Sequence, residues 1–272
     1  MNLQIRTCFS HRGATGLAGR LLAVAALIVA VPTAHAAADD AKAILKAMSD
    51  HVGAQQTIQL TFDSDIEIIT PQLEKIQFTN SGELLLSRPD KLAAHRVGGY
   101  ADVALYFDGK TATVYGKNIN AYAQFEAPGN LDELFHRLRA GHGVALPGAD
   151  FLLTNSYDVL VADVIEAKHM GRGVIDGVEC EHLAFRNIET DWQVWIEVGA
   201  NPVPRKIVIT SKTIAGAPQY TFRVKSWKNG VKPAADAFTF TPPAGAGELD
   251  PNNLILLDEL PPEAPPPAGG NP

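Results

Sequence analysis

The fold is decided by the stretch Thr57-Ile58-Gln59-Leu60-Thr61-Phe62-Asp63-Ser64-Asp65-Ile66-Glu67-Ile68. Apolar and polar side chains alternate along it, and the apolar positions are Ile58, Leu60, Phe62, Ile66 and Ile68. Successive side chains of a β-strand point to opposite faces of the sheet, so this period of two predicts a long strand with one buried face.

Similar segments recur toward the carboxyl end of the chain, separated by Gly, Pro, Asn and Asp. One of these separators, Asp108-Gly109, is typical of a tight hairpin. The pattern predicts a meander of strands and a closing strand at 238–243. The other predicted strands cover 75–80, 83–87, 92–97, 101–107, 111–115, 121–125, 159–170, 177–186, 192–198, 205–211 and 219–227.

Two short amphipathic helices interrupt this pattern. The first is expected over about 39–52, and the second follows Asn130, a residue suited to capping a helix. A Gly-rich stretch at 141–150 then predicts a loop. The apolar stripes of the two helices are Ala41, Ile44, Leu45 and Met48 in the first and Leu131, Leu134, Phe135 and Leu138 in the second.

These elements predict a mainly β (α+β) fold, a single curved antiparallel sheet or open half-barrel of about eleven strands with helices on the concave side. A strongly bent sheet has more concave surface than two short helices easily fill, so an apolar ligand could occupy the rest, with the helices as a movable lid. The alternative is a closed core without a cavity. The candidate ligand-binding residues are Ile44, Leu45, Met48, Leu131, Leu134, Phe135, Leu138 and Trp195.

The amino terminus has the organisation of a secretory signal peptide. Arginines without acidic residues precede an apolar run at 21–31, and Ala34-His35-Ala36 suits a cleavage site. We therefore expect a signal peptide at 1–36, a β domain at 37–260, a disordered Pro/Gly-rich tail at 261–272 and a periplasmic location. Cys8 precedes the apolar run, which excludes it as the lipid-modified cysteine of a lipoprotein signal.

Charge and cysteine content exclude some classes of protein. The chain carries 23 Lys and Arg against 30 Asp and Glu, with a formal net charge of −7. This acidic balance argues against binding to nucleic acids or to anionic membranes. After cleavage only Cys180 remains, so no internal disulfide can form.

The common enzyme motifs are absent from the sequence, including the phosphate-binding loop, the His-Glu-x-x-His pair and the Gly-x-Ser-x-Gly elbow. The triplet Cys180-Glu181-His182 is the most reactive combination, and Glu166, His169 or Asp191 would have to join it to hold a metal. We therefore predict no catalytic residues, no metal and no cofactor. The residues nominated for the less favoured enzyme hypothesis are Cys180, His182, Arg186 and Asp191.

Several motifs resemble an uncharacterised family of predicted bacterial periplasmic proteins: Gly-Val-Glu-Cys-Glu-His-Leu-Ala-Phe-Arg at 177–186, Asp-Trp-Gln-Val-Trp-Ile-Glu at 191–197 and Pro-Val-Pro-Arg-Lys at 202–206. Leu-Ser-Arg-Pro-Asp-Lys at 86–91 and Tyr-Phe-Asp-Gly-Lys at 106–110 also resemble the periplasmic lipoprotein carriers of the LolA/LolB type. That resemblance implies an incomplete antiparallel barrel whose helices cover a cavity for acyl chains. It also implies that Arg88 helps to lock the lid.

The favoured hypothesis is a non-enzymatic periplasmic binding protein for a lipid, a lipoprotein acyl chain or another apolar ligand. The alternative is a protein-interaction or scaffold module of the cell envelope, which would use an exposed strand edge or the Pro-rich tail. An enzyme with an unrecognised site is the third class. The expected partners are therefore a lipid or lipoprotein ligand, or an envelope protein.

Overall fold

The structure is a computed structural model that describes residues 34–142, 144, 146–252 and 254. Most of the predicted signal peptide and all of the predicted tail at 261–272 lie outside the described residues. In the part of the chain that is described, each helix is too short or too polar to span a bilayer.

Within the described residues, three α-helices and twelve strands follow one another along the chain. They are α1 Ala34–Gly53, β1 Thr57–Ile69, β2 Lys75–Ser87, β3 Lys91–Gly98, β4 Asp102–Phe107, β5 Thr111–Gly116, β6 Ala121–Glu126, α2 Leu131–His142, α3 Ser156–Val161, β7 Glu166–Ile175, β8 Val178–Arg186, β9 Thr190–Glu197, β10 Pro204–Ser211, β11 Gln219–Asn229 and β12 Gly247–Leu249. A single turn of 3₁₀ helix, Ala149–Leu152, lies between α2 and α3.

All twelve strands form one open sheet in the order β12-β6-β5-β4-β3-β2-β1-β11-β10-β9-β8-β7. Every pair is antiparallel except β12 with β6. The alternating stretch quoted first is β1, which pairs with β2 from Thr57–Ser87 to Ile69–Lys75 and with β11 on its other side. The expected fold class, an open curved antiparallel sheet with helices on its concave side, is confirmed.

The face of the sheet that carries Leu60 and Phe62 is called the inner face, and the opposite one the outer face. Most of the core lies between the inner face and the helices. Helix α1 buries Ala41, Leu45 and Met48 completely, and the helix packs against β7 and β8. These helices therefore supply the second layer that a one-sided sheet needs to bury its apolar face.

Three details of the predicted strands were wrong. Segments 75–80 and 83–87 form the one strand β2, because Ser81 and Gly82 stay paired with β1 and β3 on both sides. The first residues of 159–170 belong to α3. Segment 238–243 is not a strand; Phe240 instead packs against three tyrosines of the outer face, with ring centroids 5.2–5.7 Å apart: Tyr106, Tyr115 and Tyr122.

Candidate functional site: an apolar cavity under the helices

A cavity of about 310 Å³ lies between the inner face and the segments that cover it. This volume is at the lower end of the range typical of small-molecule sites. The lining is mostly aliphatic and aromatic. Residues from the sheet include Leu60, Phe62, Ile66, Leu84, Leu92, Ala94, Arg96, Val103, Leu105, Val114, Ile207, Tyr220, Phe222, Val224 and Trp227.

The alternation of β1 and β11 builds the floor of this cavity. Leu60 and Phe62 share the inner face because they are two residues apart. The ring of Phe62 stacks on Phe222 of β11, with centroids 4.6 Å apart and planes inclined by 27°. Both rings are only half-buried, so they leave apolar surface open to the cavity.

Helix α2 forms part of the cover, and a capping box fixes its start. The side chain of Asn130 accepts a hydrogen bond from the Glu133 N–H at 3.0 Å, and the Glu133 carboxylate accepts one from the Asn130 N–H at 2.8 Å. From this start, Phe135 and Leu138 reach the cavity on successive turns. The sequence therefore sets which side of α2 faces the cavity.

The segment 146–152, which includes the 3₁₀ helix, forms a second part of the cover beside α2. Arg139 of α2 holds this segment from one side, donating from Nη2 to the Leu146 carbonyl at 2.9 Å. The same guanidinium pairs with the Asp150 carboxylate. The segment 146–152 is therefore joined to α2 by a charged pair and by a hydrogen bond to a main-chain oxygen.

Arg88 holds the cover from the other side. Its guanidinium donates to the main-chain oxygens of Gln55 at 3.1 Å and Leu152 at 2.7 Å. Burial lowers the pKa of Arg88, with nearby Asp132 acting in the opposite direction. Both acceptors are neutral carbonyls, so these bonds can break without leaving a buried carboxylate unpaired.

The eight residues predicted to bind a ligand occupy three environments. Phe135 and Leu138 line the cavity. Trp195 lies on the outer face, where it stacks on His182 with centroids 4.1 Å apart and carries Lys206 Nζ 4.9 Å from its ring centre. The remaining five belong to the core cluster or pack against it: Ile44, Leu45, Met48, Leu131 and Leu134.

Sequence reasoning did not nominate the strand residues that form most of the lining. Their signal was already present in the period of two, which places Leu60, Phe62 and Ile66 on one face. The missing information was which strand lies beside β1. Phe222 and Trp227 come from β11, more than 150 residues away in the chain, and only the sheet order brings them there.

The residues nominated for an enzyme do not converge. Cys180 pairs with Glu197 at one end of the β8–β9 ladder, and Arg186 pairs with Asp191 at the other. Six residues of strand separate these ends by about 20 Å. Burial is the main cause that raises the pKa of Cys180, which keeps its thiol protonated and unreactive.

The residues considered as metal ligands form separate pairwise contacts with other side chains. His182 bonds the side chain of Gln193 at 2.9 Å, and His169 bonds Glu181 at 2.8 Å. Glu166 pairs with Lys168 at 2.9 Å. Within the described ranges, no group of three or more His, Cys, Asp and Glu side chains is arranged to hold a metal ion.

The fold and the cavity define a class: an open antiparallel half-barrel with helices over an internal apolar space. The chain belongs to the family described as "Predicted periplasmic protein (DUF2092)", which matches residues 41–250. This confirms the expected family. No curated protein matches the chain.

Solved structures with similar folds include three that align with most of this chain. An uncharacterised conserved protein from Thermus thermophilus has 11% identity and a TM-score of 0.48, covering 78% of this chain and 99% of that one. The lipoprotein LppX of Mycobacterium tuberculosis has 14% identity and a TM-score of 0.44, covering 71% and 98%. LprF from Mycobacterium bovis has 14% identity and a TM-score of 0.42, covering 77% and 98%.

Proposed function

We propose that this protein is a non-enzymatic periplasmic binding protein that holds an acyl chain of a lipid or lipoprotein in the cavity. The observation that carries the proposal is the apolar cavity of about 310 Å³ between the sheet and its helices. Burial of an acyl chain there would remove apolar surface from water on both partners, at roughly 25 cal/mol per Å².

The ligand enters by displacement of the cover. Arg88 and Arg139 hold the segment 146–152 by hydrogen bonds. When this segment closes, its apolar residues Phe151 and Leu152 line the cavity again. Opening therefore breaks these hydrogen bonds and exposes Phe151 and Leu152, which are buried in the closed state, while the strand pairing of the sheet stays intact. Arg88 therefore acts as the lock, and Phe135 and Leu138 contact the bound chain together with the strand residues.

Export belongs to the same proposal. Residues 1–36 direct the chain to the periplasm and are removed, and the β domain over 37–260 carries the binding site. Sequencing the amino terminus of the protein recovered from the periplasm tests this part. A start near Ala37 is expected, whereas an uncleaved Met1 would contradict it.

The binding function is tested with the purified protein, by native mass spectrometry of co-purified lipid and by titration with a fluorescent fatty acid. Leu84→Trp places an indole in the cavity and is expected to weaken binding about tenfold or more. Leu85→Trp is the matched control, because the neighbouring residue of β2 points to the outer face. The Leu85→Trp variant is expected to bind the fatty acid as tightly as the wild-type protein.

Two outcomes would contradict the proposal. One is the absence of bound lipid and of fluorescent fatty acid uptake by the wild-type protein. The other is equal loss of binding in the two tryptophan variants, because a site in the cavity distinguishes the two faces of β2. Circular dichroism of both variants establishes that each has kept its fold.

A second candidate is a protein-interaction module that uses the edge of the sheet. Strand β7 ends the strand order, and its exposed side chains include Met170 and Val174. An edge strand with apolar side chains is suited to pairing with a strand of another protein. Cross-linking from position 174 in the periplasm tests this, and capture of one protein while lipid assays stay negative would favour it.

A further inference from the structure

The hairpin turns at one end of the sheet carry exposed apolar side chains. Antiparallel neighbours alternate in direction, so successive hairpins turn at opposite ends of the sheet. Within the described residues, five hairpins turn at one end, and each has an exposed large apolar side chain in its turn. These side chains are called the apolar rim: Leu73 between β1 and β2, Tyr100 between β3 and β4, Ile119 between β5 and β6, Ile188 between β8 and β9, and Ile214 between β10 and β11.

The hairpins at the opposite end are polar by comparison. They turn through Arg88-Pro89-Asp90, Asp108-Gly109-Lys110, Asp176-Gly177 and residues 198–203. The structure describes all of these residues, and none of them carries an exposed large apolar side chain. Scattered exposed apolar side chains are normal on a protein surface, but their concentration at one end of the half-barrel marks that end as a contact surface.

Leu73 is the least expected member of the rim. Its φ of 64° lies in the left-handed region, which Gly and Asn adopt more readily than Leu. Its side chain is 73% exposed, so burial in the core does not compensate for this conformation. A leucine that gains nothing from the core, in a turn better suited to asparagine, indicates a contact outside the chain.

Hydrogen bonds between neighbouring turns hold the rim in place. Asn118 in the β5–β6 turn donates from Nδ2 to the Tyr100 carbonyl at 2.9 Å. On the other side of β1, the Lys212 N–H donates to the Glu189 carbonyl at 2.9 Å and joins the β10–β11 turn to the β8–β9 turn. These turns are therefore ordered before a partner binds, which lowers the conformational entropy lost on docking.

The cavity extends toward the same end of the sheet. Its lining includes Ile66 and Tyr220, which pair with each other three residues before β1 ends at its turn with β2. At the opposite end of the inner face, Ile58, Leu86 and Phe107 are completely buried in the core. The core therefore closes the cavity away from the rim, and the rim lies at the end toward which the cavity extends.

We propose that the apolar rim docks on the surface of a zwitterionic lipid bilayer. The five side chains enter the interfacial region, and the end of the cavity nearest the rim faces the membrane. This inference goes beyond acyl-chain binding, because it assigns a second surface and a partner of a different kind. It can fail while binding in the cavity stands.

The spacing of the rim favours a bilayer over a protein partner. Neighbouring turns at one end are two strands apart, about 10 Å, so polar main chain separates the apolar side chains. A protein interface instead places its apolar side chains in one contiguous, closely packed core. A fluid bilayer accommodates separate side chains, and the amphipathic ring of Tyr100 suits the membrane interface.

The charges at this end favour a zwitterionic surface. The lysines in or beside three of the turns are each paired with a carboxylate: Lys75 with Glu67 at 3.1 Å, Lys117 with Asp102 at 3.6 Å and Lys212 with Asp191 at 3.0 Å. The whole chain has a formal net charge of −7. Attraction to anionic headgroups is therefore weak, and burial of the apolar side chains supplies the affinity.

The test is flotation of the mature protein with vesicles of phosphatidylcholine. We expect the wild-type protein to float with the vesicles. The double variant Leu73→Asn/Ile188→Ser should bind them about tenfold more weakly, because two apolar side chains no longer enter the bilayer. Asparagine keeps the left-handed conformation of the first turn. Mixing phosphatidylglycerol into the vesicles is expected not to strengthen binding of the wild-type protein.

The matched control is Met170→Thr/Val174→Thr, which removes two exposed apolar side chains from β7, outside the rim. It is expected to bind vesicles as the wild-type protein does. Leu84→Trp, which fills the cavity, is also expected to keep vesicle binding. Loss of docking and loss of fatty acid binding are therefore measured separately.

A fluorescent label shows which end of the sheet meets the bilayer. Cys180 is buried, so an NBD label attaches at an introduced cysteine. With vesicles, emission from labelled Ile119→Cys is expected to shift to shorter wavelength. Emission from labelled Lys110→Cys, at an exposed position of the opposite end, is expected to stay unchanged.

Several outcomes would overturn the docking inference. One is the absence of flotation by the wild-type protein, which would leave the proposed cavity function standing. Equal loss of binding in the two double variants is another, as is an emission shift from the label at position 110 alone. Stronger binding to vesicles with phosphatidylglycerol would overturn the zwitterionic preference. A dimer without flotation that dissociates in Leu73→Asn/Ile188→Ser would overturn docking on a bilayer and assign the rim to a second copy of the chain.

Discussion

The Nη2 atom of Arg88 donates a hydrogen bond of 2.7 Å to the main-chain oxygen of Leu152, 64 residues further along the chain. The same guanidinium donates to Gln55, just beyond α1. Its Nη1 atom is buried without a hydrogen-bond partner in the described ranges. One side chain at the end of β2 thus joins the first helix to the cover of the cavity.

Replacement of this arginine is expected to loosen the cover. In Arg88→Met the two hydrogen bonds to carbonyl oxygens are lost, which costs about 1–3 kcal/mol of stability. We expect faster hydrogen exchange of the amides in 146–152 and faster release of a bound fatty acid. Exchange mass spectrometry and stopped-flow displacement measure the two effects.

The control for this variant is Arg186→Met, since Arg186 lies on the exposed end of β8 and pairs with Asp191. It is expected to leave exchange in 146–152 unchanged. If Arg88→Met showed the same exchange and release rates as the wild type, Arg88 would be a structural arginine without a role in the cover.

The fluorescence of Trp227 is expected to change when a ligand binds. Trp227 lines the cavity, and its indole N–H donates to Asn229 at 2.7 Å. An alkyl chain beside Trp227 would replace water at its ring and shift its emission to shorter wavelength. Trp195, stacked on His182 on the outer face, is expected to be unaffected.

The comparison of two variants tests this assignment. Trp227→Phe should remove the emission shift on addition of dodecanoate, and Trp195→Phe should keep it. A shift that disappears in Trp195→Phe and persists in Trp227→Phe would place the ligand on the outer face.

The hairpin between β4 and β5 makes stability depend on pH. Burial tends to raise the pKa of Asp108, but hydrogen bonds from the N–H groups of Thr111 and Lys110 outweigh it, and the pKa lies below its ordinary value of 3.8. The folded state therefore holds this proton less tightly than the unfolded chain. The ionised Asp108 carboxylate stabilises the folded state fully above the unfolded pKa of about 4. This stabilisation is lost as pH falls through the pKa of the folded state.

Asp108→Asn removes this titration. Urea unfolding at neutral pH is expected to show a less stable variant, and the difference from the wild type should shrink below about pH 4. Asp158→Asn is a control at an acidic residue outside this hairpin. A difference that stays constant down to the lowest pH would show that the carboxylate charge is not what stabilises the turn.

Cys180 is expected to be dispensable for function. Its thiol is buried, and desolvation is the first cause of its raised pKa. In the folded protein it should react with a thiol reagent only at the rate of unfolding, and Cys180→Ala should keep fatty acid binding. Loss of binding in that variant, with its fold intact by circular dichroism, would revive the hypothesis of a reactive site near His182.

The mainly β class and most element positions followed from local sequence. The alternation in β1 predicts a one-sided strand, and the pair Asn130–Glu133 with the stripe of α2 predicts a capped helix. The predicted break in β2 was wrong because Ser81 and Gly82 are paired on both sides, and pairing partners are not a local property.

The amino-acid sequence by itself determined which residues share a face of each strand and helix, because the periods of two and 3.6 are properties of the backbone. It also determined the family. Only the tertiary structure decided which faces meet. The contact of Phe62 with Phe222 and the position of Arg96 in the cavity depend on strand order and register, which are set by packing over the whole sheet and not by neighbours in the chain.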